Sequence, residues 1–450
     1  MKREYNKFEI NFNRSIEIRV QDKMLTSDTG ALLLREVDEK LGLIESLGNK
    51  IRDYRDAGKV DHSLQKLFRQ RIYSIIQGYR DQNDAESLKH DPAFAVSTSD
   101  EKGEKALENE LASQATMSRL GLEMLSYEGN RESLNEGLLE WTWQYLSTKK
   151  KNKLKVATID IDSSFHETHG SPEGAFYNAH YGAKGYHPYY AFLAETGTML
   201  KAELRPGNVH AANGAVEFIT DLIEHALDRL AKRVYVRGDA GNVSPEMLSG
   251  LEAYRDAVRY MFRLSSNPRL EALAKPHLDK VELEKGEEKV FEMRYQADTW
   301  SHARRVVLVV VQNHEELFPE HFFLVTNFRK KEMKGRQMLD FYRQRGTFES
   351  WIGEFKTTIN PRFPSDKMCT NEVHLLLFGL AYNLSRIMAL MSKPINEPMP
   401  RLSTVRDRLL KVAGLLVRSA RRLIFDVPRT AFEWWSRFFN RLEVMKPVPI

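Results

Sequence analysis

The order of secondary-structure patterns after residue 155 constrains the fold of this chain most strongly. Apolar side chains alternate with Thr158, Asp160 and Asp162, and this period of two is typical of a β-strand. Further patterns follow along the chain. In order, the predicted elements are a strand at 156–162, a hairpin at 186–204, a helix at 215–232 and a strand at 234–236. This succession predicts an α/β domain built on a central sheet.

We predict that this domain is a ribonuclease-H-like core, with Asp162 on its first strand and Asp239 at the end of its fourth. A strand-rich stretch without a long amphipathic helix follows, and then a long, mostly buried helix at 373–391. The predicted units are a helical DNA-binding region at 1–150, the core in two parts at 151–257 and 328–395, a β insertion at 258–327 and a basic helical tail at 396–450.

Helical periodicity dominates the first 150 residues. Asp61 or Ser63 can cap a helix whose apolar positions recur from Leu64 to Tyr79. Shorter helices are predicted at 30–41, 106–113 and 116–125. A bundle of this kind fits a DNA-reading helix-turn-helix and a purely structural role equally well.

Positive charge is concentrated at the end of the chain. The net charge of the whole chain is +5, whereas residues 401–450 hold eleven Lys/Arg and four Asp/Glu. Basic and apolar residues interleave over 406–423, which predicts an amphipathic basic helix with Arg418, Arg421 and Arg422 as DNA contacts. A lysine cluster at 149–155 fits either a second phosphate-binding patch or a solvated linker.

The remaining composition excludes several classes of site and location. Cys369 is the only cysteine, which rules out an intrachain disulfide framework and a cysteine-based zinc site. Five histidines between Asp162 and Asn213 have no standard zinc spacing and are expected to form local hydrogen bonds or to meet DNA. The polar start and the expected lack of a transmembrane-length apolar run predict a cytoplasmic protein with no membrane partner.

Four residues near the C-terminal third follow the spacing Y-(2)-R-(3)-E-(6)-K. They are Tyr342, Arg345, Glu349 and Lys356. At about 100° per residue they share one narrow stripe of a helix, and four apolar residues occupy the adjoining stripe: Phe341, Phe348, Ile352 and Phe355. An ordinary solvated face is the competing interpretation. Gly346 and the residue after it are poor helix formers, at which the helix can start late or bend.

Three carboxylates can meet at one edge of the predicted sheet. Asp162, Asp239 and Glu349 would repel one another unless cations lie between them, and two Mg²⁺ ions, with Mn²⁺ as a substitute, would satisfy them. Such a pair of ions suits in-line phosphoryl transfer. Arg345 and Lys356 would then hold substrate phosphates. Asp160, on the same strand face as Asp162, is an alternative ligand.

The chain resembles the DDE transposases of bacterial insertion sequences that have the Y-(2)-R-(3)-E-(6)-K signature, most closely the 1380 group. Similar stretches extend beyond the signature: TIDIDSSFHETHG, GAFYNAHYGAKGYHPYYAF, LRPGNVHAANGA, VYVRGDAGN and RQRIYSIIQGYRDQNDAESLKHDPAF. A further stretch at 113–119 also resembles the family and fits either a DNA-lining or a capping role. One departure is Ala240-Gly241-Asn242, where the family pattern has an aromatic soon after the glycine.

This resemblance implies a function and roles for the signature residues. Asp162, Asp239 and Glu349 would be metal ligands, whereas Tyr342 and its basic neighbours Arg345 and Lys356 would contact transposon-end DNA. The protein would bind double-stranded inverted repeats, cleave the ends and join the 3′-hydroxyls to target DNA, as a homodimer on paired ends. Two alternatives stay open: a DNA-binding repressor without catalysis, and a nuclease that does not join strands.

Overall fold

A computed structural model describes residues 7–20, 22–149, 153–210, 212–420 and 422–446. Helices dominate the N-terminal part. They are α1 (Ala31–Leu41), α2 (Leu43–Lys50), α3 (Leu64–Gln77), α4 (Asp84–Leu88), α5 (Pro92–Thr98), α6 (Gln114–Arg119) and α7 (Glu128–Ser147). Three short strands precede them: β1 (Lys7–Glu9), β2 (Glu17–Arg19) and β3 (Leu25–Thr26).

The rest of the chain contains both strands and helices. The strands are β4 (Ala157–Ser163), β5 (His166–Glu167), β6 (Phe176–Asn178), β7 (Ala183–Tyr186), β8 (Tyr189–Leu193), β9 (Thr198–Glu203), β10 (Val234–Gly238), β11 (Val258–Leu264), β12 (Glu288–Tyr295), β13 (Arg304–Val311), β14 (Glu320–Thr326), β15 (Gly414–Ser419) and β16 (Arg422–Asp426). The helices are α8 (Ala215–Arg229), α9 (Pro245–Ala253), α10 (Pro268–Leu278), α11 (Gly335–Arg343), α12 (Gly346–Glu354), α13 (Met368–Ser392), α14 (Leu402–Val405) and α15 (Phe432–Val444).

An eight-stranded mixed sheet forms the centre of the molecule. Its strand order is β12-β13-β14-β11-β10-β4-β8-β9, and β4, β10 and β11 are parallel to one another. The predicted strand, hairpin, helix and strand are confirmed as β4, β8–β9, α8 and β10. Side chains are buried on both faces of β4 and β10, as expected for strands inside a sheet, with apolar residues on one face and the buried polar residues Asp160 and Arg237 on the other.

Hydrophobic clusters cover both faces of this sheet. Phe218 and Ile219 of α8 pack against Ile159 and Val236 on one face. On the other face, α13 packs with α7 and α12 against the opposite side of β8 and β9. The candidate active site lies at the edge of the sheet where these parallel strands end.

The strand-rich stretch after β10 extends the same sheet. β11 pairs in parallel with β10, and β14, β13 and β12 follow as antiparallel neighbours toward the edge. The expectation that no long helix interrupts these strands is wrong, because α10 spans eleven residues. Asn267 caps α10 by accepting a hydrogen bond from the Leu270 amide, and Pro268 occupies its first turn.

The predicted buried helix is confirmed as α13, and it corrects the expectation that the chain has no apolar run of transmembrane length. By length and composition α13 is sufficient to cross a membrane. In this fold 94% of its most apolar 18-residue window is buried inside the protein. It therefore serves here as the central core helix, which packs against α3, α7 and β9.

The N-terminal predictions are confirmed in part. α1 lies at the predicted place, and the Ser63 hydroxyl caps α3 by accepting from the Lys66 amide at 3.2 Å. The helix expected at 106–113 is wrong: a 3₁₀ turn at 103–108 ends there, followed by extended chain. The helix expected at 116–125 is α6 continued by a π turn.

The basic helix predicted over 406–423 is wrong. After α14 the chain makes a π turn over Arg406–Leu410 and then forms the β15–β16 hairpin, which pairs with β3. Gly414 explains the change: a Cβ there would lie 2.2 Å from the Thr29 hydroxyl, so the strand can approach only without a side chain. Arg418 and Arg422 are exposed on this hairpin, and Arg421 lies outside the described residues.

Candidate active site

The register of two parallel strands brings Asp162 and Asp239 to one edge of the sheet. Asp160 of β4 is the register partner of Arg237 in β10. Asp162 and Asp239 each lie two residues further along, where the two strands end. Because the carboxyl ends of neighbouring parallel strands share an edge, the two carboxylates become neighbours.

A buried ion pair lies directly beneath them. Arg237 donates to both carboxylate oxygens of Asp160, at 2.7 and 2.8 Å, and the two side chains are 1% and 0% exposed. The third contact of Arg237 is a hydrogen bond of 2.5 Å to the Phe341 carbonyl of α11. Asp160 is therefore buried and paired with Arg237, and Asp160 as an alternative metal ligand stays a prediction that this ion pair disfavours.

Asp162 lies in a very different electrostatic environment. Burial raises the pKa of Asp162 to about 7, and the neighbouring Asp239 carboxylate adds to this shift. Two hydrogen bonds oppose this shift: Arg345 donates to Asp162 Oδ2 at 2.6 Å, and the Ser163 amide donates to Asp162 Oδ1 at 2.8 Å. Two carboxylates thus lie close together with one guanidinium group beside them. Their combined negative charge exceeds the positive charge of Arg345, so a further cation would be stabilised there.

Asp239 is held by a short polar chain. The Asn242 amide group donates to Asp239 Oδ1 at 2.6 Å, and the Tyr189 hydroxyl donates in turn to Asn242 Oδ1. Asn242 and Tyr189 are both 0% exposed. The residue at which the sequence departs from the family pattern thus orients the second aspartate.

The segment with the signature residues is not one helix. α11 ends at Arg343, α12 begins at Gly346, and a π turn over Phe355–Ile359 follows. The interpretation of all four residues as one helical stripe is therefore wrong, and the poor helix formers Gly346 and Thr347 mark the break. The apolar half of the prediction is confirmed in α12, where Phe348 is fully buried and packs edge-on against Phe192.

Arg345 joins the third carboxylate to the first. It occupies the N-cap position of α12, is 8% exposed, and contacts Asp162 at 2.6 Å and Glu349 at 3.7 Å. Glu349 is 73% exposed in the first turn of α12, where the helix dipole favours a negative charge. In the described part of the chain no three His, Cys, Asp or Glu side chains converge closely enough to hold a metal ion. The structure thus brings Asp162 and Asp239 together and places Glu349 across Arg345 from them.

Lys356 and Tyr342 flank this arrangement. The Lys356 ammonium donates to the Phe165 carbonyl at 2.8 Å and to the Ser164 hydroxyl at 3.2 Å, and burial lowers the pKa of Lys356. It thereby fixes the loop that follows Asp162. Tyr342 is half-buried against the cluster under α11, and burial raises the pKa of its hydroxyl.

Comparison with known families decides what this arrangement belongs to. The family model described as transposase DDE domain group 1 matches residues 8–446. The chain belongs to this transposase family. No curated protein matches it. Among solved structures, it is similar to the cryo-EM structure of the piggyBac transposase synaptic complex with hairpin DNA, at 11% identity and a TM-score of 0.44, over 94% of this chain and 84% of that chain.

Transposases of this family use divalent metal ions. The donor set of this transposase fits such ions, because carboxylate oxygens are their preferred ligands. Burial and, after it, the neighbouring Asp239 carboxylate raise the pKa of Asp162, and a cation between the two carboxylates would lower it. Glu349, exposed and on the adjoining helix, is the nearest signature carboxylate that would complete the set.

Two histidines of the transposase, His166 and His187, form local hydrogen bonds. The buried His166 ring meets the Tyr190 hydroxyl at 2.8 Å, and His187 Nδ1 meets the Val209 carbonyl at 3.0 Å. Burial lowers the pKa of His166 to about 3, so its ring is neutral. The expectation of local hydrogen bonding is confirmed for these two residues.

Sequence reasoning missed two residues that shape the site, Arg237 and Asn242. The sequence did indicate a role for Arg237, because a charged residue at a strand position between Val236 and Gly238 requires a buried partner. Asn242 was noticed only as a departure from the family pattern. Its contact with Asp239 depends on a 3₁₀ turn over Ala240–Asn242 that no pattern in the sequence predicts.

Proposed function

We propose that this transposase, a member of the 1380 group, binds the terminal inverted repeats of its own insertion sequence. It hydrolyses a phosphodiester at each end and joins the freed 3′-hydroxyls to target DNA. The observation that carries this proposal is the pairing of Asp162 and Asp239 at the ends of parallel strands, with Arg345 connecting them to Glu349.

Asp162, Asp239 and Glu349 are the proposed ligands of two Mg²⁺ ions, for which Mn²⁺ can substitute. When bound, these ions would supply Lewis-acid stabilisation of the attacking and leaving oxygens. The protein's own part is to hold the carboxylates in place. Asn242 orients Asp239, and Arg345 restrains both Asp162 and Glu349.

The cations around the carboxylates are proposed to position DNA. Arg345 and Lys356 would hold phosphates beside the scissile bond, with Tyr342 packing at the same place. Arg418 and Arg422 of the C-terminal hairpin, together with Arg421 between them in the sequence, are proposed as further contacts to duplex DNA. We further propose a homodimer on paired ends, acting in the cytoplasm.

Cleavage and joining of end DNA test the proposal. The substrate is a labelled duplex with the inverted repeat that flanks the gene, incubated with Mg²⁺ and a target plasmid. Wild type is expected to cut and join, and EDTA to stop both steps. Glu349→Gln should bind the duplex normally but lose cleavage by about 10³-fold or more, as for loss of a metal ligand. Glu217→Gln, another exposed glutamate in a first helical turn, is the matched control.

Three outcomes separate this function from its rivals. Binding without any cutting by the wild type indicates a repressor, and cutting without joining indicates a nuclease. Cutting and joining by Glu349→Gln at the wild-type rate contradicts the assignment of Glu349.

A further inference from the structure

A cavity lined by arginines lies between the N-terminal helices and the chain that leads into α13. It has a volume of about 330 Å³, and Arg71, Arg80 and Arg362 line it. We call it the arginine cavity. Its remaining walls are mostly neutral polar side chains, among them Gln114, Ser118 and Thr370. The residues from α3 and α6 belong to the two N-terminal stretches, 69–94 and 113–119, for which the catalytic site gives no role.

Several buried donors in this cavity lack partners within the described residues. Arg71 is 4% exposed, and its Nε has no hydrogen-bond partner, although its Nη2 donates to the Arg80 carbonyl at 3.0 Å. The Thr370 hydroxyl, 2% exposed, is also without a partner. Arg80 Nε is the third such group. Buried donors left unpaired are costly, and their convergence on one cavity indicates a missing acceptor.

The cavity also has an excess of positive charge. Burial lowers the pKa of Arg71 to about 10, only partly offset by Asp81 and Asp84. Burial lowers the pKa of Arg80 as well, and the nearby Arg362 guanidinium lowers it further. An anion bound among these guanidinium groups would relieve their repulsion.

One wall of the cavity is continuous with the catalytic segment. Arg80 Nη2 donates to the Thr358 carbonyl at 3.0 Å, and Arg406 Nη2 donates to the same oxygen at 2.8 Å. Thr358 lies in the π turn that also contains Lys356, directly after α12. An anion in the cavity therefore lies along the same segment that presents Glu349.

We propose that the arginine cavity binds a phosphate of the DNA backbone, supplied by the transposon end. Guanidinium forks match phosphate oxygens in geometry, and the neutral donors beside them add hydrogen bonds. The proposal rests on the proposed function for the identity of the DNA. Occupation of the cavity fixes the end against the π turn and so aligns it with the carboxylates.

A methylphosphonate scan tests this assignment. Each position of the end duplex is made neutral in turn, and affinity is measured by fluorescence anisotropy in EDTA, so that no cleavage occurs. In wild type one or two positions should weaken binding about 10-fold. Arg362→Gln, at an exposed position, should weaken binding of unmodified DNA by a similar factor and show no further loss at those positions. Arg269→Gln, an exposed arginine on α10, should keep the wild-type pattern.

Thr370→Val provides a second variant whose folding is secure. Because the Thr370 hydroxyl has no hydrogen-bond partner among the described residues, its removal should leave the melting temperature unchanged or higher, while affinity falls about 3-fold. Loss of affinity without loss of stability supports a ligand contact. Unchanged affinity at a retained melting temperature overturns it.

The remaining outcomes are distinguishable. If Arg362→Gln and wild type lose affinity equally at every modified position, the phosphate assignment is wrong although end binding stands. If inorganic phosphate raises the wild-type melting temperature but no scanned position depends on Arg362, the cavity binds a free anion and the DNA assignment is overturned. Absence of any end binding by wild type overturns the proposed function itself, and with it this proposal.

Discussion

Two successive levels of the same pair of strands, β4 and β10, have opposite charge arrangements. At the lower level Asp160 and Arg237 form a closed ion pair with almost no exposure. Two residues further along both strands, Asp162 and Asp239 bring like charges together, and Arg345 reaches only the first of them directly. The protein alone satisfies the charges of the lower level, whereas the upper level is the proposed place for cations from outside.

The buried ion pair of the lower level supports the strand ends at which Asp162 and Asp239 lie. Arg237 connects β4, β10 and the Phe341 carbonyl of α11, so the elements that present the carboxylates are fixed from beneath. The repulsion above is tolerated because it is confined to the strand ends. Variants of each level should therefore have opposite effects on stability and activity.

The largest effect is expected from Arg237→Met. Removing the guanidinium leaves the Asp160 carboxylate buried and unpaired, which should lower the free energy of unfolding by about 3–5 kcal/mol. Urea unfolding followed by tryptophan fluorescence measures it. Arg269→Met, which breaks an exposed pair with Asp298, should cost less than about 1 kcal/mol. Equal stability of the two variants would show that the lower level is not the base of the site.

A smaller effect of opposite sign is expected from Asp162→Asn. The pKa of Asp162 is raised from 3.8 to about 7, so the folded state holds its proton longer than the unfolded state does. Wild-type stability in EDTA should therefore fall as pH rises from about 4 to 7, by about 3 kcal/mol. Asp162→Asn should remove this fall, and saturating Mg²⁺ should reduce it in wild type.

The control variant for that measurement is Asp228→Asn, because the Asp228 side chain is 77% exposed on α8. It should keep the wild-type slope of stability against pH. A slope shared by wild type and Asp162→Asn in EDTA would mean that burial and Asp239 do not raise the pKa of Asp162 as described.

The smallest effect is expected from Asn242→Ala, which frees the Asp239 carboxylate from its donor. Cleavage of end DNA should slow about 10-fold, as for a lost charge-assisted hydrogen bond, with end binding unchanged. Tyr189→Phe removes the other contact of Asn242 but leaves the bond to Asp239 intact. That variant should cleave at nearly the wild-type rate, and equal losses in both would indicate a merely structural role for Asn242.

The sequence predicted what local periodicity determines. The alternation of apolar and polar residues located β4 and β10. It thereby also located Asp162 and Asp239, because each lies at the end of one of these strands. It did not predict that Asp160 pairs with Arg237, because that contact joins residues 77 positions apart. Interleaved basic and apolar residues at 406–423 suited a helix as well as a hairpin, and the close approach of Gly414 to Thr29 decided the outcome.

The signature segment shows the same limit. Its spacing identified Arg345 and Glu349 as neighbours, which the 3.7 Å contact confirms. The helix break between them and Tyr342, and the π turn that redirects Lys356, depend on the packing of Phe348 and Phe355 beneath. Such packing is set by the sheet and α13 rather than by the segment itself.

Cleavage of end DNA by two neighbouring asparagine variants tests the central claim most directly. Asp162→Asn and Asp160→Asn make the same chemical change two residues apart on β4, and the assay runs with Mg²⁺ at a temperature where both are folded. We predict that Asp162→Asn binds end DNA but does not cut it, whereas Asp160→Asn is less stable but still cuts. Cutting by Asp162→Asn at the wild-type rate would contradict the account.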